Sequence, residues 1–219
     1  MTYIRGDTAQ FDAWEDLGNP GWNWATLFPY YKKSEKYTVP SNTQVAAGAT
    51  FEYQDHGFDG HVHVGYPLAL VNGSFAPRVI QTWEGLSLPH NPDLNSGGVR
   101  GFSMGPQTLD PELNIRWDAA RAYYYPIEER PNLKIVKGTV KRIIWAEEKC
   151  KWSPCDDNRL VASGVEFLNG DGETDVLKAR KEVVISAGAV RTPLVLEGSG
   201  IGNPRFDTEP SHQILRAKF

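Results

Sequence analysis

Apolar side chains recur at helical spacing in three stretches in the first part of the chain. Phe11 and Trp14 lie three positions apart within residues 8–17, and the run Gly-Asn-Pro-Gly at 18–21 follows them. Residues 24–37 and 74–86 show the same periodicity. This spacing predicts a helix in each stretch, and the Gly/Pro run predicts the end of the first one.

The pattern between and after these helices is mostly irregular. Residues 61–64 alternate His and Val, which predicts a short strand. Residues 89–111 are rich in Gly, Pro and Asn, so a long loop is expected there. Residues 116–125 predict a short helix that Pro126 ends.

The last third of the chain changes to a strand pattern. Residues 139–146, 160–168 and 174–177 are separated by polar turn residues, which predicts an antiparallel β-meander. Residues 133–136 predict one further strand. The apolar run 182–186 is typical of a parallel strand buried on both faces. Together with the helices, these strands predict a mixed fold of the α/β or α+β kind.

A turn of small residues, Ala187-Gly188-Ala189, follows this last strand. Thr192 is predicted to cap a helix over residues 192–197, with Pro193 at its first position. Gly188 lets a ligand approach the backbone closely, and a helix N-terminus after a buried strand attracts anions. The same residues also suit an ordinary strand–helix turn that binds nothing.

Composition narrows the classes of partner. The net charge is −4 over 219 residues, whereas a nucleic-acid-binding protein needs a basic face to neutralise phosphates. No apolar run approaches the roughly 20 residues of a membrane span. We therefore expect neither a nucleic acid nor a membrane as a partner.

Two features bear on the compartment of the parent protein. Cys150 and Cys155 lie in a polar, proline-containing stretch, where they could close a small disulfide or remain as two free thiols. Residues 72–74 read Asn-Gly-Ser, an N-glycosylation sequon. A lone sequon is common by chance. It mildly favours secretion of the parent protein, but the sequence does not assign its cellular compartment.

The segment 186–202 carries the most specific pattern in the chain. It resembles, position for position, the second signature segment of the glucose–methanol–choline (GMC) oxidoreductase family. The matching positions are Gly188, Ala189, Thr192, Pro193, Val195, Leu196, Ser199, Gly200, Ile201 and Gly202. Other segments agree in the family's order, among them His56-Gly57-Phe58-Asp59-Gly60 and Arg130-Pro131-Asn132-Leu133. Within the family, the chain is most similar to fungal FAD-dependent oxidases and dehydrogenases that act on glucose.

The resemblance implies an FAD-dependent enzyme that oxidises an alcohol group of a sugar or another alcohol by hydride transfer to the flavin. It implies a partial FAD-binding domain of the Rossmann type, with residues 1–37 and 130–204 as its elements. Residues 38–129 would hold loops, helices and the start of the substrate domain, and residues 205–219 form a divergent tail.

The resemblance also assigns cofactor contacts. The residue matching Val140 holds the adenine through its backbone, the turn at Ala187 and Gly188 contacts the cofactor, and the loop at Met1 and Thr2 lies against the flavin ring. No catalytic residue and no metal ligand is assigned, because none of the five histidines stands in a recognisable motif.

Two parts of the family pattern are not found in this sequence. No Gly-x-Gly-x-x-Gly fingerprint, which cradles the pyrophosphate, occurs near residue 1, and the family's catalytic His region has no counterpart. We therefore expect the chain alone to be inactive, to purify without colour and to behave poorly as a monomer. The alternatives are a non-catalytic truncated remnant and a protein-binding module.

Overall fold

The computed structural model describes residues 2–71, 75–146 and 160–202. The chain divides into two compact units, Met1–Leu133 and Lys134–Lys218, called unit 1 and unit 2 below. The sequon, both cysteines, Met1 and the tail lie outside the described residues. Each unit is described by itself.

Capping side chains mark the starts of helices in unit 1. Helix α1 spans Thr8–Asp16, with Asp7 and Gln10 forming a capping box at its start. It ends before Gly18, which takes a left-handed φ of 97° that favours glycine. Helices α2 (Trp24–Ser34), α3 (Asn42–Ala46) and α4 (Phe75–Gly85) follow. The helices predicted over residues 8–17, 24–37 and 74–86 are present.

The predicted helix over 24–37 is wrong in its last three residues. Helix α2 ends at Ser34, and Glu35–Tyr37 forms strand β1. Its partner is the predicted short strand, β2 (Val62–Val64), which runs parallel to it. Tertiary contacts of the Glu35 side chain override the helical pattern here.

The rest of unit 1 is built from short elements. Strands β3 (Leu109–Asp110) and β4 (Ile115–Arg116) pair antiparallel. The helix predicted over 116–125 therefore starts late: a π-helical turn spans Ala120–Tyr124, and a 3₁₀ turn spans Tyr125–Ile127.

Unit 2 contains the predicted meander. Strands β5 (Thr139–Trp145), β6 (Ala162–Leu168) and β7 (Thr174–Lys178) form one antiparallel sheet in that order. Helix α5 spans Gly188–Gly198 and packs against β5. Ile143 and Phe167 are buried in this unit, as is Val195 on α5.

Three sequence predictions in this region are wrong. Residues 133–136 and 182–186 are not strands, because no strand in the described part of the chain pairs with either. Val184 is accordingly 76% exposed rather than buried. Helix α5 begins at Gly188 rather than Thr192, since Gly188 has a φ of 83° that turns the chain into the helix directly.

Candidate functional site

An apolar cavity of about 270 Å³, open to solvent on one side, lies in unit 2. Its walls come from β5, β6, α5 and the extended segment 183–187, and among the described lining residues Ser186 alone has a polar side chain. The lining residues are Val140, Ile143, Val165, Val183, Val184, Ile185, Ser186, Ala187 and Val195. The cavity therefore brings together Val140 and Ala187, which lie 47 positions apart in the sequence.

The turn beside this cavity is open on one side. A side chain placed on Gly188 would meet no atom within 4 Å, and only its left-handed φ disfavours other residues. The Thr192 hydroxyl accepts a hydrogen bond from the Ala187 N–H at 3.1 Å. Thr192, which lies in α5, therefore stabilises the turn before the helix. The N–H groups of the first turn of α5 have no acceptor within the helix, which gives this end a partial positive charge.

Ser199 fixes the cavity wall made by β5 and α5. Its Oγ accepts a hydrogen bond from the Ile143 N–H at 2.8 Å and donates one to the Val195 carbonyl. Its carbonyl accepts a hydrogen bond from Trp145 Nε1 at 2.7 Å. Ser199 is buried, so the two hydrogen bonds of its Oγ are shielded from water, whereas the one from Trp145 is partly buried.

The predicted cofactor residue Thr2 does not line this cavity. Thr2 is in unit 1, where it is exposed and forms an isolated antiparallel bridge with Gln107. Met1 lies outside the described residues. Of the five predicted cofactor residues, the structure places Val140 and Ala187 in one cavity and Gly188 next to Ala187.

A buried charged cluster in unit 1 was not predicted from the sequence. It consists of Arg5, Glu35, His56 and Asp93, each at most 3% exposed. Arg5 Nη2 donates to Glu35 Oε2 at 2.7 Å, and His56 Nδ1 lies 3.0 Å from Glu35 Oε1. His56 Nε2 lies 2.7 Å from Asp93 Oδ2. Burial of two cations with two carboxylates is tolerated because each charge is paired and hydrogen-bonded.

The ion pairs shift the pKa values of His56 and Asp93. Burial lowers the pKa of His56, but the hydrogen bonds to Asp93 and Glu35 outweigh burial and raise this pKa above its ordinary value. Burial raises the pKa of Asp93, but hydrogen bonds from His56 and from the Glu52 N–H lower it overall. The paired, charged state is therefore favoured around neutral pH.

A second histidine forms a simpler contact. His63 Nδ1 lies 3.2 Å from Asp110 Oδ2, and the His63 ring stacks on Trp117 with centroids 4.0 Å apart. Hydrogen bonds from the backbone N–H groups of Leu113 and Glu112, together with His63, lower the pKa of Asp110 although burial opposes them. His63 lies on β2 and Asp110 ends β3, so the pair joins these two strands and supports the local structure.

The described residues offer neither a metal site nor a membrane span. In the ranges 2–71, 75–146 and 160–202, no group of three or more His, Cys, Asp or Glu side chains is arranged to hold a metal ion. No helix within these ranges combines the length and the apolar character needed to cross a bilayer.

Comparison with known proteins identifies the family. The family model described as GMC oxidoreductase matches residues 1–208. The chain therefore belongs to the GMC oxidoreductase family, whose members are FAD-dependent enzymes acting on alcohol or sugar donors.

Individual relatives agree with this family assignment. The chain is 68% identical over 192 residues to the glucose oxidase-like protein fsoC of Humicola fuscoatra, covering 88% of this chain and 32% of that protein. It is 36% identical over 208 residues to a glucose oxidase of Aspergillus carbonarius, covering 92% of this chain and 32% of that protein. The chain thus spans about a third of the length of the curated relatives it matches.

The fold also matches a solved structure. An FAD-dependent oxidoreductase from Chaetomium thermophilum superposes with a TM-score of 0.79 at 31% sequence identity, covering 94% of this chain and 33% of that one. The expected mixed fold of a GMC flavin-binding region is therefore confirmed.

Proposed function

We propose that this chain is part of an FAD-dependent oxidoreductase that oxidises an alcohol group of a sugar or another alcohol, and that unit 2 holds the adenine end of the cofactor. One observation carries the second half of the proposal. Val140 and Ala187, assigned to the cofactor on separate sequence motifs, line the same cavity.

The cavity suits adenine better than the other parts of FAD. Ligand pockets are usually about 300–1,000 Å³, so a cavity of about 270 Å³ accommodates one flat ring system rather than a dinucleotide. Apart from Ser186, its walls are Val, Ile and Ala side chains, which favour an uncharged ring. None of the described lining residues is charged, so the phosphates would lie outside these walls.

The start of α5 suits those phosphates. Its first-turn N–H groups lack helical acceptors, and the open face at Gly188 lets an anion approach the backbone. In this proposal Val140 holds the adenine through its backbone, and Ala187 and Gly188 pass close to the sugar and phosphates. FAD, when bound, accepts the hydride that leaves the alcohol carbon.

The remaining assignments extend the proposal beyond unit 2. Thr2, with Met1, contacts the flavin ring. Residues 1–37 and 130–204 belong to the flavin domain, and residues 38–129 lie on the substrate side. The names of the relatives support a sugar or a small alcohol as the substrate class, since one is a glucose oxidase.

A cavity-filling variant tests the proposal. Ala187→Trp places an indole into the cavity, whereas Val176→Trp adds the same side chain to an exposed position of β7 that does not line it. Equilibrium dialysis of the 219-residue chain against excess FAD detects binding that is too weak to survive purification. It should show binding by the unsubstituted chain and by Val176→Trp, and little binding by Ala187→Trp. Equal binding by all three proteins, or no binding by the unsubstituted chain, would reject the cavity as the adenine site.

A further inference from the structure

We propose that the buried charged cluster of Arg5, Glu35, His56 and Asp93 positions residues 2–5 for the flavin, and that it releases this segment when His56 loses its proton. That residues 2–5 face the flavin rests on the proposed function. The positioning itself rests on contacts within unit 1.

Residues 2–5 are fixed mainly through Asn95. The Arg5 N–H donates to Asn95 Oδ1 at 2.9 Å, and Arg5 Nη1 donates to the Asn95 carbonyl at 3.0 Å. Asn95 Nδ2 reaches the Tyr3 carbonyl at 3.5 Å. The Tyr3 N–H donates to the Pro106 carbonyl at 2.9 Å, next to the bridge between Thr2 and Gln107. The position of residues 2–5 therefore depends on where Arg5 and Asn95 are held.

Asn95 in turn is held by the cluster. The Asn95 N–H donates to Asp93 Oδ1 at 2.8 Å, while the other oxygen of Asp93 faces His56 Nε2. Arg5 is held from the opposite side by Glu35, whose second oxygen faces His56 Nδ1. His56 thus joins the two carboxylates that anchor Arg5 and Asn95.

This arrangement requires a charged imidazole. An ionised carboxylate only accepts hydrogen bonds, so both ring nitrogens of His56 must carry a proton to satisfy Glu35 and Asp93. Loss of one proton would turn a nitrogen lone pair toward a buried carboxylate. Tyr37 stacks on the ring with centroids 3.7 Å apart, which limits rotation to a new partner.

The neighbours of His56 set the direction of the pH dependence. The titratable groups that interact with it directly are Glu35, Tyr37, Asp55 and Asp93. Behind them, Arg5 pairs with Glu35, and Tyr66 interacts with Tyr37 and Asp93. Burial raises the pKa of Asp55, and burial raises that of Tyr66 to about 12, so Tyr66 stays neutral in the relevant range. The pKa of His56 is raised in the folded protein. The hydrogen bonds of His56 to Glu35 and Asp93 are therefore complete below the ordinary histidine pKa, and they are lost as the pH rises through the pKa of His56 in the folded protein.

Hydrogen exchange on the full chain tests the proposal without a mutation that could prevent folding. Exchange at the imidazole C2 position, followed by mass spectrometry, reports the pKa of His56. Amide exchange, corrected for its intrinsic pH dependence, reports protection at Tyr3 and Arg5. As the pH rises through the His56 pKa, the hydrogen bonds of charged His56 to Glu35 and Asp93 are lost, and Arg5 and Asn95 lose their anchor. Protection of the Tyr3 and Arg5 amides should therefore fall by about tenfold or more.

Controls separate local release from unfolding. The amide of Ala122, buried in the same unit and bonded to the Asp118 carbonyl, should keep its protection. The variant His63→Gln, which removes the other Asp–His contact, should leave the release of residues 2–5 unchanged. A neutral His56 at neutral pH, or unchanged protection of Tyr3 and Arg5 across its titration, would overturn the proposal. FAD binding is measured independently, so failure of the cavity assignment would not alter this result.

Discussion

At the scale of single residues, Glu35 has the largest structural role in unit 1. It is 0% exposed, and its two oxygens accept hydrogen bonds from Arg5, from the Gly57 N–H and from His56. Replacing one member of a buried charged group leaves the others uncompensated, which costs more than the intact group contributes.

The variant Glu35→Gln should therefore destabilise unit 1 strongly. It keeps the side-chain shape but leaves Arg5 and His56 with one carboxylate, for an expected loss of about 3–5 kcal/mol in the free energy of unfolding. Urea unfolding followed by tryptophan fluorescence measures this loss. Asp118→Asn, which removes an exposed partner of Arg121, is the matched control and should change stability far less. A similar effect of the two variants would contradict the assigned role of Glu35.

The sequence predicts the residues of the unit 2 cavity but not the buried role of Glu35, for physical reasons. Val140, Ala187 and Gly188 stand in segments whose local pattern matches a family motif, so the sequence alone points to them. Glu35 follows Lys32-Lys33-Ser34, which is typical of a solvated helix end. Its burial depends on Arg5 and His56, distant in sequence, and no local pattern reports such a contact.

At the scale of elements, the contact between β5 and α5 determines the shape of the cavity. Ser199 lies just after α5 and supplies the acceptor for the Ile143 N–H on β5. Because β6 pairs with the other edge of β5, Ser199 substitutes for a neighbouring strand at this position.

The variant Ser199→Ala should lower the free energy of unfolding of unit 2. It leaves the buried N–H of Ile143 without its acceptor, which costs about 1–3 kcal/mol. Ser163→Ala is the control: this half-buried serine donates to the Ile144 carbonyl, and its loss leaves no N–H unpaired. Thermal unfolding followed by circular dichroism compares the two. Equal stability of Ser199→Ala and the parent would show that Ser199 does not hold β5.

The elements that were predicted correctly depend on local signals. The strands β5, β6 and β7 combine β-forming residues with turn residues, and hairpin pairing needs only neighbours in sequence. The predicted strands at 133–136 and 182–186 have the right composition but need a partner strand from elsewhere, which the described residues do not supply. The start of α5 was missed because the positive φ of Gly188 is a property of the folded backbone.

At the scale of the whole molecule, the chain has two compact units. Among the described residues of unit 2, apolar side chains are exposed on and near the extended segment 182–186, which pairs with no described strand. Val184 is 76% exposed, Val190 is 75% exposed and Leu194 is 59% exposed. An extended segment without a strand partner offers backbone groups to another chain, and exposed apolar side chains favour such contacts.

We therefore expect the chain to self-associate as its concentration rises. Val184→Lys, which places a charge on the segment, should shift the chain toward the monomer in size-exclusion chromatography with light scattering. Leu17→Lys changes an equally exposed apolar residue at the end of α1 and should have little effect. A monomer at all concentrations with a cooperative thermal transition would contradict this expectation and favour an independent protein-binding module.

The central claim, that the cavity of unit 2 binds the adenine end of FAD, is tested most directly by photoaffinity labelling with azido-AMP. The label should attach to peptides that contain Val140 or residues 183–187, and excess AMP should prevent labelling while FMN, which lacks adenine, should not. Labelling only at other peptides, or equal protection by FMN and AMP, would contradict the claim.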